Sequence, residues 1–534
     1  MTLLLLACTR GPDSGLPGGH EPATYPLTDE AYTALQGRWA PTVPESAQAA
    51  IDAGELSVYD LPGMLEAGLG VEWEQGELAW NELSELDPDF DGGSPRRQVA
   101  WIWQAADPQV IDEESPIRMS AFEGIYRPGG HLSPQTFEAH VRTARRLQDL
   151  SRDFDFALIA GDLTDGAQLN ELEWVLDTLE GGVIDPDSGV DDDPVQGPGN
   201  DYNDPFLSDG LGVPWYAAAG NHDGLYIGGF APIDEALKEA AMGDEVYDFV
   251  FPTGFRDGST VYGDLVTEGT TPADPLREPL TEAEFLQALL EAPGEPAGHG
   301  ITAEMVAAEK SWFVAWPIEG VPLRLVVLDT LQAHPSGLGL GSQGYVEEEQ
   351  LAWIEGQLRE AEAASELVLV MSHHRAKDLG GESPIEPEQL EAVLSSSPNL
   401  VLHVTGHGHS NVDRLVSGEH GYYELMLAST LDFPMQSRVI EIIDEGNGHL
   451  SIYCTNLGHN SPEDSLAHHG RELAAAKAAF PVLGQGGDAL GEWESDRQNQ
   501  NLVLRVAIPE DVQTALATVD LPEAVLSEEV LREL

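Results

Sequence analysis

The chain has 534 residues, which is enough to bury a large core and more than one typical domain requires. Its 93 Asp and Glu residues outnumber 25 Lys and Arg residues, and the formal net charge is −68. Charge of one sign on this scale argues against nucleic acid or an anionic membrane surface as a partner. The hydrophobic content of 42% is typical of a globular protein.

The chain begins with a short apolar run that ends in Leu5-Leu6-Ala7-Cys8, and a stretch rich in Gly, Pro and Ser follows. This start resembles a bacterial lipoprotein signal peptide at residues 1–8, with Cys8 as the lipidated residue. The resemblance implies a protein of the bacterial cell envelope, lipid-anchored at a periplasmic or outer-membrane face, or a secreted one. Membrane contact is then expected only through Cys8. Because no Lys or Arg precedes the apolar run, an ordinary frayed terminus remains the alternative.

Residues 9–97 are rich in Gly, Pro, Glu and Asp, and predict a tether and N-terminal extension. Five apolar runs of strand type follow, and each ends directly before a polar motif. In chain order they are QVAWIWQAA before Asp107-Pro108-Gln109, FALIA before GDLTD at 161–165, VPWYAAA before GNHD at 220–223, ELVLVM before SHH at 372–374, and NLVLHVT before GHGH at 406–409. Because open α/β sheets place their ligand crevice at the carboxyl ends of strands, we expect the motifs to meet at one site.

Three segments separate these motifs. The stretch GAQLNELEWVLDTLEGG has apolar residues at helical spacing and predicts a helix that stops at Gly181-Gly182. Residues 184–212 are acidic and rich in Pro and Gly, and we interpret them as a solvated loop. A calcium site is the alternative there, although the EF-hand spacing is missing. Residues 224–310 predict an insertion over the site.

The second half of the chain continues the α/β pattern. The stretch EEEQLAWIEGQLREAEAA predicts a helix, and YYELMLAS, SRVIEIID and HLSIYC predict closely spaced antiparallel strands. The main domain is therefore expected to span residues 98–460. A C-terminal extension at 461–534 contains one predicted helix, LAHHGRELAAAKAAF, and one predicted strand, NLVLRVAI.

Taken together, the polar motifs supply the ligands of a dinuclear metal site. Two cations held about 3.5 to 4 Å apart need a shared carboxylate, with oxygen and imidazole ligands on each side. With these motifs in this order, residues 98–460 resemble a calcineurin-like metallophosphoesterase. The resemblance implies a four-layer α/β sandwich of two mixed β-sheets flanked by helices. The residue pattern alone supports α/β with late antiparallel strands, and a doubly wound sheet is the alternative.

The resemblance further implies two metal ions and seven ligands. Asp162 would bridge the ions, since each of its two carboxylate oxygens can face one cation. The remaining ligands are assigned motif by motif to the first metal (Asp107, Gln109, His409) and to the second metal (Asn221, His373, His407).

The implied activity is hydrolysis of a phosphate monoester or diester by a hydroxide that bridges the two metals. His222 follows a ligand, and histidine is the usual side chain for proton transfer near neutral pH, so His222 is the candidate proton donor to the leaving oxygen. Asp165 is a candidate for orienting hydrogen bonds, and His374 and Arg375 are candidates for substrate contact. Turn chemistry for Asp165 and a surface salt bridge for Arg375 are the alternatives.

Gln109 departs from the superfamily, whose first motif usually reads D-x-H. Its carbonyl oxygen is a harder ligand than imidazole, so the first site is expected to favour Mn, Mg, Ca or Fe over Zn, and the identity of the two divalent or trivalent ions stays open. The stretch ADPQVIDEESPIR resembles a bacterial subgroup with Gln at this place. Gln109 is also the one feature that favours the alternative function, a non-enzymatic metal-binding envelope lipoprotein that interacts with a partner.

Overall fold

The computed structural model describes residues 22–25, 37–75, 80–93, 96–120, 126–190, 193–230, 235–247, 253–256, 262–332, 341–480 and 501–524. The predicted signal peptide and Cys8 lie outside the described residues. Among the described residues, no helix is both long and apolar enough to cross a bilayer.

Nineteen strands are assigned within the described ranges. They are β1 (Gly37–Thr42), β2 (Gly70–Gln75), β3 (Asn81–Leu86), β4 (Arg97–Ala105), β5 (Phe156–Ile159), β6 (Gly182–Ile184), β7 (Phe206–Ser208), β8 (Trp215–Ala217), β9 (Phe255–Arg256), β10 (Leu265–Val266), β11 (Phe313–Ala315), β12 (Leu323–Val327), β13 (Leu367–Met371), β14 (Leu400–Thr405), β15 (Val412–Val416), β16 (Tyr422–Met426), β17 (Gln436–Asp444), β18 (His449–Gly458) and β19 (Leu502–Ala507).

All three helices that the sequence predicts are present, at Leu169–Glu180, Glu348–Ala364 and Leu466–Lys477. The helices of the described residues are α1 (Glu45–Asp52), α2 (Leu61–Glu66), α3 (Ser133–Leu150), α4 (Leu169–Glu180), α5 (Asn221–Gly224), α6 (Glu235–Ala241), α7 (Glu282–Glu291), α8 (Ala303–Ala308), α9 (Glu348–Ala364), α10 (Pro387–Leu394), α11 (Leu466–Lys477) and α12 (Glu510–Leu516). Helix α4 ends at Gly181, which has φ 89°, as its predicted stop requires.

The larger sheet has seven strands in the order β3-β19-β18-β17-β4-β5-β8. Strands β4, β5 and β8 are parallel to one another, whereas β17 pairs antiparallel with both β4 and β18. At the far edge, β3 and β19 pair in parallel. Segments on both sides of residues 98–460 therefore contribute strands to the same sheet.

The second sheet has six strands in the order β11-β12-β13-β14-β16-β15. The predicted antiparallel arrangement is confirmed for β17 and β18, but it is wrong for β16, which pairs in parallel with β14. Along the chain, β15 lies between β14 and β16, and it pairs antiparallel with β16 at the outer edge of the sheet. Because β15 reverses the chain direction, β16 returns in the direction of β14 and inserts beside it.

Apolar side chains of the six-stranded sheet alternate between two cores. Leu325 and Leu369 face the core shared with the seven-stranded sheet, whereas Val326 and Val368 pack with α9 and α10. This alternation is the period of two that strands impose. Helices α3 and α4 add Val141 and Val175 to the shared core. The predicted sandwich of two mixed sheets flanked by helices is confirmed, and the two separate sheets rule out one doubly wound sheet.

Candidate metal centre

All five polar motifs lie at the carboxyl ends of parallel strands. Asp107 follows β4, Asp162 follows β5 and Asn221 follows β8 in one sheet, while the two His motifs follow β13 and β14 in the other. The backbone N–H of His407 donates to the Asp107 carboxylate, with both oxygens 3.0 Å away. This contact joins the two sheets, so the site lies between them at one edge.

Asp107, Asp162 and His409 form the first group of converging side chains, with one ligand atom of each within 4.8 Å of the others. His409 Nε2 lies 3.4 Å from Asp107 Oδ1, and its Nδ1 lies 2.7 Å from Asp432 Oδ2. A histidine that donates one ring N–H to a carboxylate and aims its other nitrogen inward has the arrangement usual for metal ligands.

His373 is the centre of the second group. Its Nε2 lies 3.2 Å from Asp162 Oδ2 and 3.1 Å from Asn221 Oδ1. Its Nδ1 lies 2.8 Å from the Ala160 carbonyl oxygen, which accepts the ring proton and leaves Nε2 free to bind a cation. The His407 ring lies 5.2 Å from the His373 ring, between centroids. Asp162 therefore contacts the second group while belonging to the first.

The two amide side chains also present oxygen atoms. Asn221 donates its Nδ2 to the Gly228 carbonyl at 2.9 Å, which turns its Oδ1 towards His373. Gln109 donates its Nε2 to Asp162 Oδ2 at 3.1 Å. Its Oε1 is buried and has no hydrogen-bond partner among the described residues. Because an unpaired buried acceptor costs about 1–3 kcal/mol, a cation at this place would stabilise the arrangement.

Unusual backbone geometry is concentrated in the same loops. Five of the seven predicted ligands have positive φ values, between 39° and 73°. They are Asp107, Gln109, Asp162, His407 and His409. A non-glycine residue in this region costs about 1–3 kcal/mol, and such residues cluster at functional sites where the surroundings enforce them. The sequence alone does not reveal this strain, because Asp and His adopt positive φ more often than most residues but usually do not, and Gln109 has no such tendency.

Glycines in the motifs let neighbouring loops approach closely. A Cβ atom on Gly220 would lie 2.2 Å from Asp162 Oδ1, and one on Gly406 would lie 2.6 Å from Asp107 Oδ2. In each case the glycine of one motif packs against the ligand of another. The Gly of G-N-H-D and the first Gly of G-H-G-H are therefore required by ligand packing.

His222 lies beside the two groups. Its backbone N–H donates to Asp162 Oδ1 at 2.8 Å, and its Nδ1 lies 2.7 Å from the Asp165 carbonyl oxygen and 3.4 Å from Asp165 Oδ1. These acceptors hold the proton on Nδ1 and leave Nε2 as the free ring nitrogen. Asp165 thus occupies the orienting position expected for it.

Two residues of the site, Asp223 and Asp432, were not predicted from the sequence. Asp223 accepts the backbone N–H groups of Leu163 and Gly220, at 2.7 and 2.8 Å, and ties the G-N-H-D loop to the G-D-L-T-D loop. Asp432 contacts His409 from a loop 23 positions along the chain. Asp223 could have been found from its place inside a motif. Nothing in the local pattern marks Asp432.

His374 and Arg375, predicted as substrate contacts, already have protein partners. His374 Nδ1 lies 3.0 Å from Thr330 Oγ1, and its Nε2 lies 3.3 Å from the Ser342 carbonyl oxygen. Arg375 donates to both oxygens of Asp378, at 2.6 and 3.2 Å. His374 also has a nitrogen within 4.8 Å of ligand atoms of His373 and His407. His373 is the better ligand, since its Nε2 faces Asp162 and Asn221.

The electrostatics of the site match a cation-binding cluster. Burial alone would lower the pKa of His373 and His409, but Asp162 and Asp107 beside them raise each pKa to about 9. Burial, with His373 nearby, lowers the pKa of His407 to about 4. Burial also opposes ionisation of Asp162, yet His373 and His222 hold the pKa of its carboxyl well below the usual range. The Asp162 carboxylate therefore stays ionised and attracts positive charge.

The acidic loop at 184–212 is less solvated than its composition suggests. Asp201 and Asp204 are buried, and Asp193, Asp201 and Asp204 each bring an oxygen within 4.8 Å of the others. Asp201 accepts the backbone N–H of Val195 at 2.9 Å, and Asp204 accepts that of Asn200 at 2.8 Å. The interpretation as a wholly solvated loop is wrong, because these carboxylates satisfy N–H groups of the loop itself.

Comparisons with known proteins give only distant structural likeness. No protein-family model matches the chain, and no curated protein matches it. A dimetal phosphatase from Danio rerio aligns with 68% of this chain and 100% of its own, at 13% identity and a TM-score of 0.39.

Two further solved structures align with a TM-score of 0.29. The sulfate thiohydrolase SoxB from Termus thermophilus, in complex with glycerol, is 12% identical and covers 71% of this chain and 60% of its own. A putative 5′-nucleotidase from Staphylococcus aureus, in complex with alpha-ketoglutarate, is 13% identical and covers 70% of this chain and 57% of its own. The case for the metal centre therefore rests on the side chains of this chain.

Proposed function

We propose that the chain is a dinuclear metal-dependent phosphoesterase, which hydrolyses a phosphate monoester or diester and belongs to the calcineurin-like metallophosphoesterases. One observation carries the proposal. The seven predicted ligand side chains, on five separate strand-end loops, converge around Asp162, which contacts residues of both groups. Such convergence of carboxylate, amide and imidazole groups is the donor set that two hard or borderline cations require.

The contacts support a role for each ligand. Asp162 would bridge the two ions, because it lies in the first group and faces His373 of the second. The side chains grouped with Asp107 would hold the first metal (Asp107, Gln109, His409), and those grouped with His373 would hold the second (Asn221, His373, His407). The free oxygen of Gln109 supports a hard ion at the first site, such as Mn, Mg, Ca or Fe.

When bound, the two cations would supply a hydroxide nucleophile and positive charge next to the phosphoryl oxygens. The residues of the chain supply the proton. His222 donates its Nδ1–H to the Asp165 carbonyl oxygen, and when the ring also carries a proton on Nε2, that Nε2–H would be the group that protonates the leaving oxygen. Asn221 and Gln109 are neutral, which limits the negative charge that an anionic substrate meets.

The first motif supports assignment to a bacterial subgroup in which Gln replaces His. The resemblance of ADPQVIDEESPIR and of STLDFPMQSRVIEI to that subgroup supports it, and the second stretch contains Asp432. Within the same proposal the protein is lipid-anchored in the cell envelope through Cys8. Incorporation of labelled fatty acid that is lost in Cys8→Ser would support the anchor, and equal labelling of both forms would refute it.

Metal analysis and two chromogenic esters test the activity. The purified protein should bind two metal ions and hydrolyse bis-p-nitrophenyl phosphate, p-nitrophenyl phosphate or both. Removing a residue that only hydrogen-bonds to a metal ligand lowers metal affinity by up to roughly 100-fold. Because Asp162 is itself a proposed ligand, Asp162→Asn should lower metal affinity by more than this. Asp520→Asn, at an exposed carboxylate, is the matched control and should change neither property.

The outcomes separate the proposal from its alternative. Two bound metals without hydrolysis of either ester would favour a non-enzymatic metal-binding envelope lipoprotein. Failure to bind metal at all would refute both functions.

A further inference from the structure

Arg127 links the two sides of the site through the acids that hold His222 and His409. Its Nη1 lies 3.1 Å from Asp165 Oδ1, and its Nε lies 3.0 Å from Asp432 Oδ2. The side chain is 7% exposed, and it precedes the 3₁₀ helix Gly130–Leu132. A planar guanidinium presents donors in fixed directions, so two carboxylates bound to it are fixed relative to each other.

The oxygens that Arg127 contacts are the same ones that face the two histidines. Asp165 Oδ1 also lies 3.4 Å from His222 Nδ1, and Asp432 Oδ2 also lies 2.7 Å from His409 Nδ1. A continuous chain of polar contacts therefore runs from the proposed proton donor, through Arg127, to a proposed ligand of the first metal.

The other oxygen of each acid has its own cation. Arg118 donates to Asp165 Oδ2, and Lys477 Nζ lies 3.8 Å from Asp432 Oδ1. Both cations are buried. Neither acid thus depends on Arg127 alone for its charge balance. Among the residues that the structure describes, only Arg127 contacts both acids, and it connects them.

We infer that Arg127 is a positioning residue, which sets the proton donor His222 at a fixed place relative to the first metal ligand His409. The inference rests on the proposed function. Lys477 lies on α11, so the C-terminal segment takes part in the same network through Asp432.

The test replaces each of the three cations by Met and measures two independent quantities. The first is the ratio of kcat/KM for p-nitrophenyl and phenyl esters of phosphate, since a misplaced proton donor harms release of the more basic phenolate most. The second is the affinity for Mn²⁺ measured by calorimetry, which needs no turnover. Thermal unfolding shows whether each variant is folded.

Arg127→Met should change both quantities. We expect kcat/KM to fall about 10-fold more for the phenyl ester than for the p-nitrophenyl ester, and the affinity for Mn²⁺ to fall about 10-fold. Arg118→Met should change only the ester ratio, because of the two acids that Arg127 joins, Arg118 contacts Asp165, the acid behind His222. Lys477→Met should change only the Mn²⁺ affinity. Arg127→Lys keeps the charge but lacks the fork of donors, so it should show the Met pattern in weaker form.

The inference is overturned if Arg127→Met lowers kcat/KM equally for both esters and leaves Mn²⁺ affinity unchanged, or if Arg127→Lys matches the wild-type protein in both. A wild-type protein that binds Mn²⁺ but hydrolyses neither ester would refute the proposed function. If the wild-type protein is active and Arg127→Met changes neither the ester ratio nor the Mn²⁺ affinity, this inference is refuted and the proposed function is not.

Discussion

Replacing Gly220 by Ala is expected to displace Asp162 and to remove most of the metal-dependent activity. Gly220 has φ −103° and ψ 176°, an extended conformation that any residue adopts. The added methyl group therefore acts through contact alone. Its Cβ would lie 2.2 Å from Asp162 Oδ1 and 2.4 Å from the Asp162 backbone nitrogen.

The size of the effect follows from these distances. Non-bonded atoms settle about 3.5 Å apart, so the loop of Gly220 and the loop of Asp162 must separate by about 1 Å. Overpacking of this kind costs about 1–3 kcal/mol of unfolding free energy. A displacement of about 1 Å at a reacting centre costs about 100-fold in rate. His222 should move as well, because its N–H donates to Asp162.

Three measurements check this: kcat/KM with the better chromogenic ester, metal bound per chain, and the free energy of unfolding in urea. Gly356→Ala is the matched control, since it lies inside α9 with no atom within 4 Å of the added Cβ. It should stabilise the protein by about 0.5–1 kcal/mol and leave activity unchanged. Full metal content and full kcat/KM in Gly220→Ala would refute the view that this glycine holds Asp162 in place.

Three further predictions concern the proton donor, the pH dependence and the charge. His222→Ala should lower kcat by about 100-fold or more while leaving metal content near that of the wild-type protein, and a variant of unchanged kcat would refute the acid role. Burial, with Asp329 beside it, raises the pKa of Glu282 from 4.5 to about 10. Since the folded protein then binds more protons than the unfolded chain between these values, stability should fall as pH rises through that window. Glu282→Gln should remove this slope, so that its gain in Tm over the wild-type protein is larger at pH 9 than at pH 5; equal gains at both pH values would contradict the shift. Finally, because a net charge of −68 repels an anionic ester, kcat/KM should rise with ionic strength more than kcat does, and a fall in kcat/KM would contradict this.

Local sequence patterns predicted the strands that carry the site and the motif residues at the ends of those strands. The apolar runs before Asp107, Asp162 and His373 became β4, β5 and β13, because an uninterrupted apolar run is what a buried parallel strand requires. The motif residues then met, since parallel strands place their carboxyl ends at the same edge. Turn glycines such as Gly181 ended the predicted helix as expected.

Contacts between distant segments were not predictable in this way. β16 runs parallel to β14 because β15 reverses the chain between them, and strand order is decided by pairing across the sheet. Asp432 reaches His409, and Lys477 reaches Asp432, from separate segments, through contacts that no periodicity encodes. A single buried carboxylate or lysine leaves no repeating pattern in the sequence, so its role is visible only from its contacts in the folded chain.

The charge of the site differs from that of the protein around it. Among the seven proposed ligands only Asp107 and Asp162 are acidic, so two divalent cations with one hydroxide would leave the centre with a net positive charge of about one. The acids nearby do not cancel it, because Asp165 and Asp432 are already neutralised by Arg118, Arg127 and Lys477. This positive charge would attract an anionic phosphate group at short range, whereas salt screens the −68 of the whole chain beyond about 10 Å. Ion pairing of Asp165 and Asp432 behind the ligands would thus preserve the positive charge that binding of an anion at this centre needs.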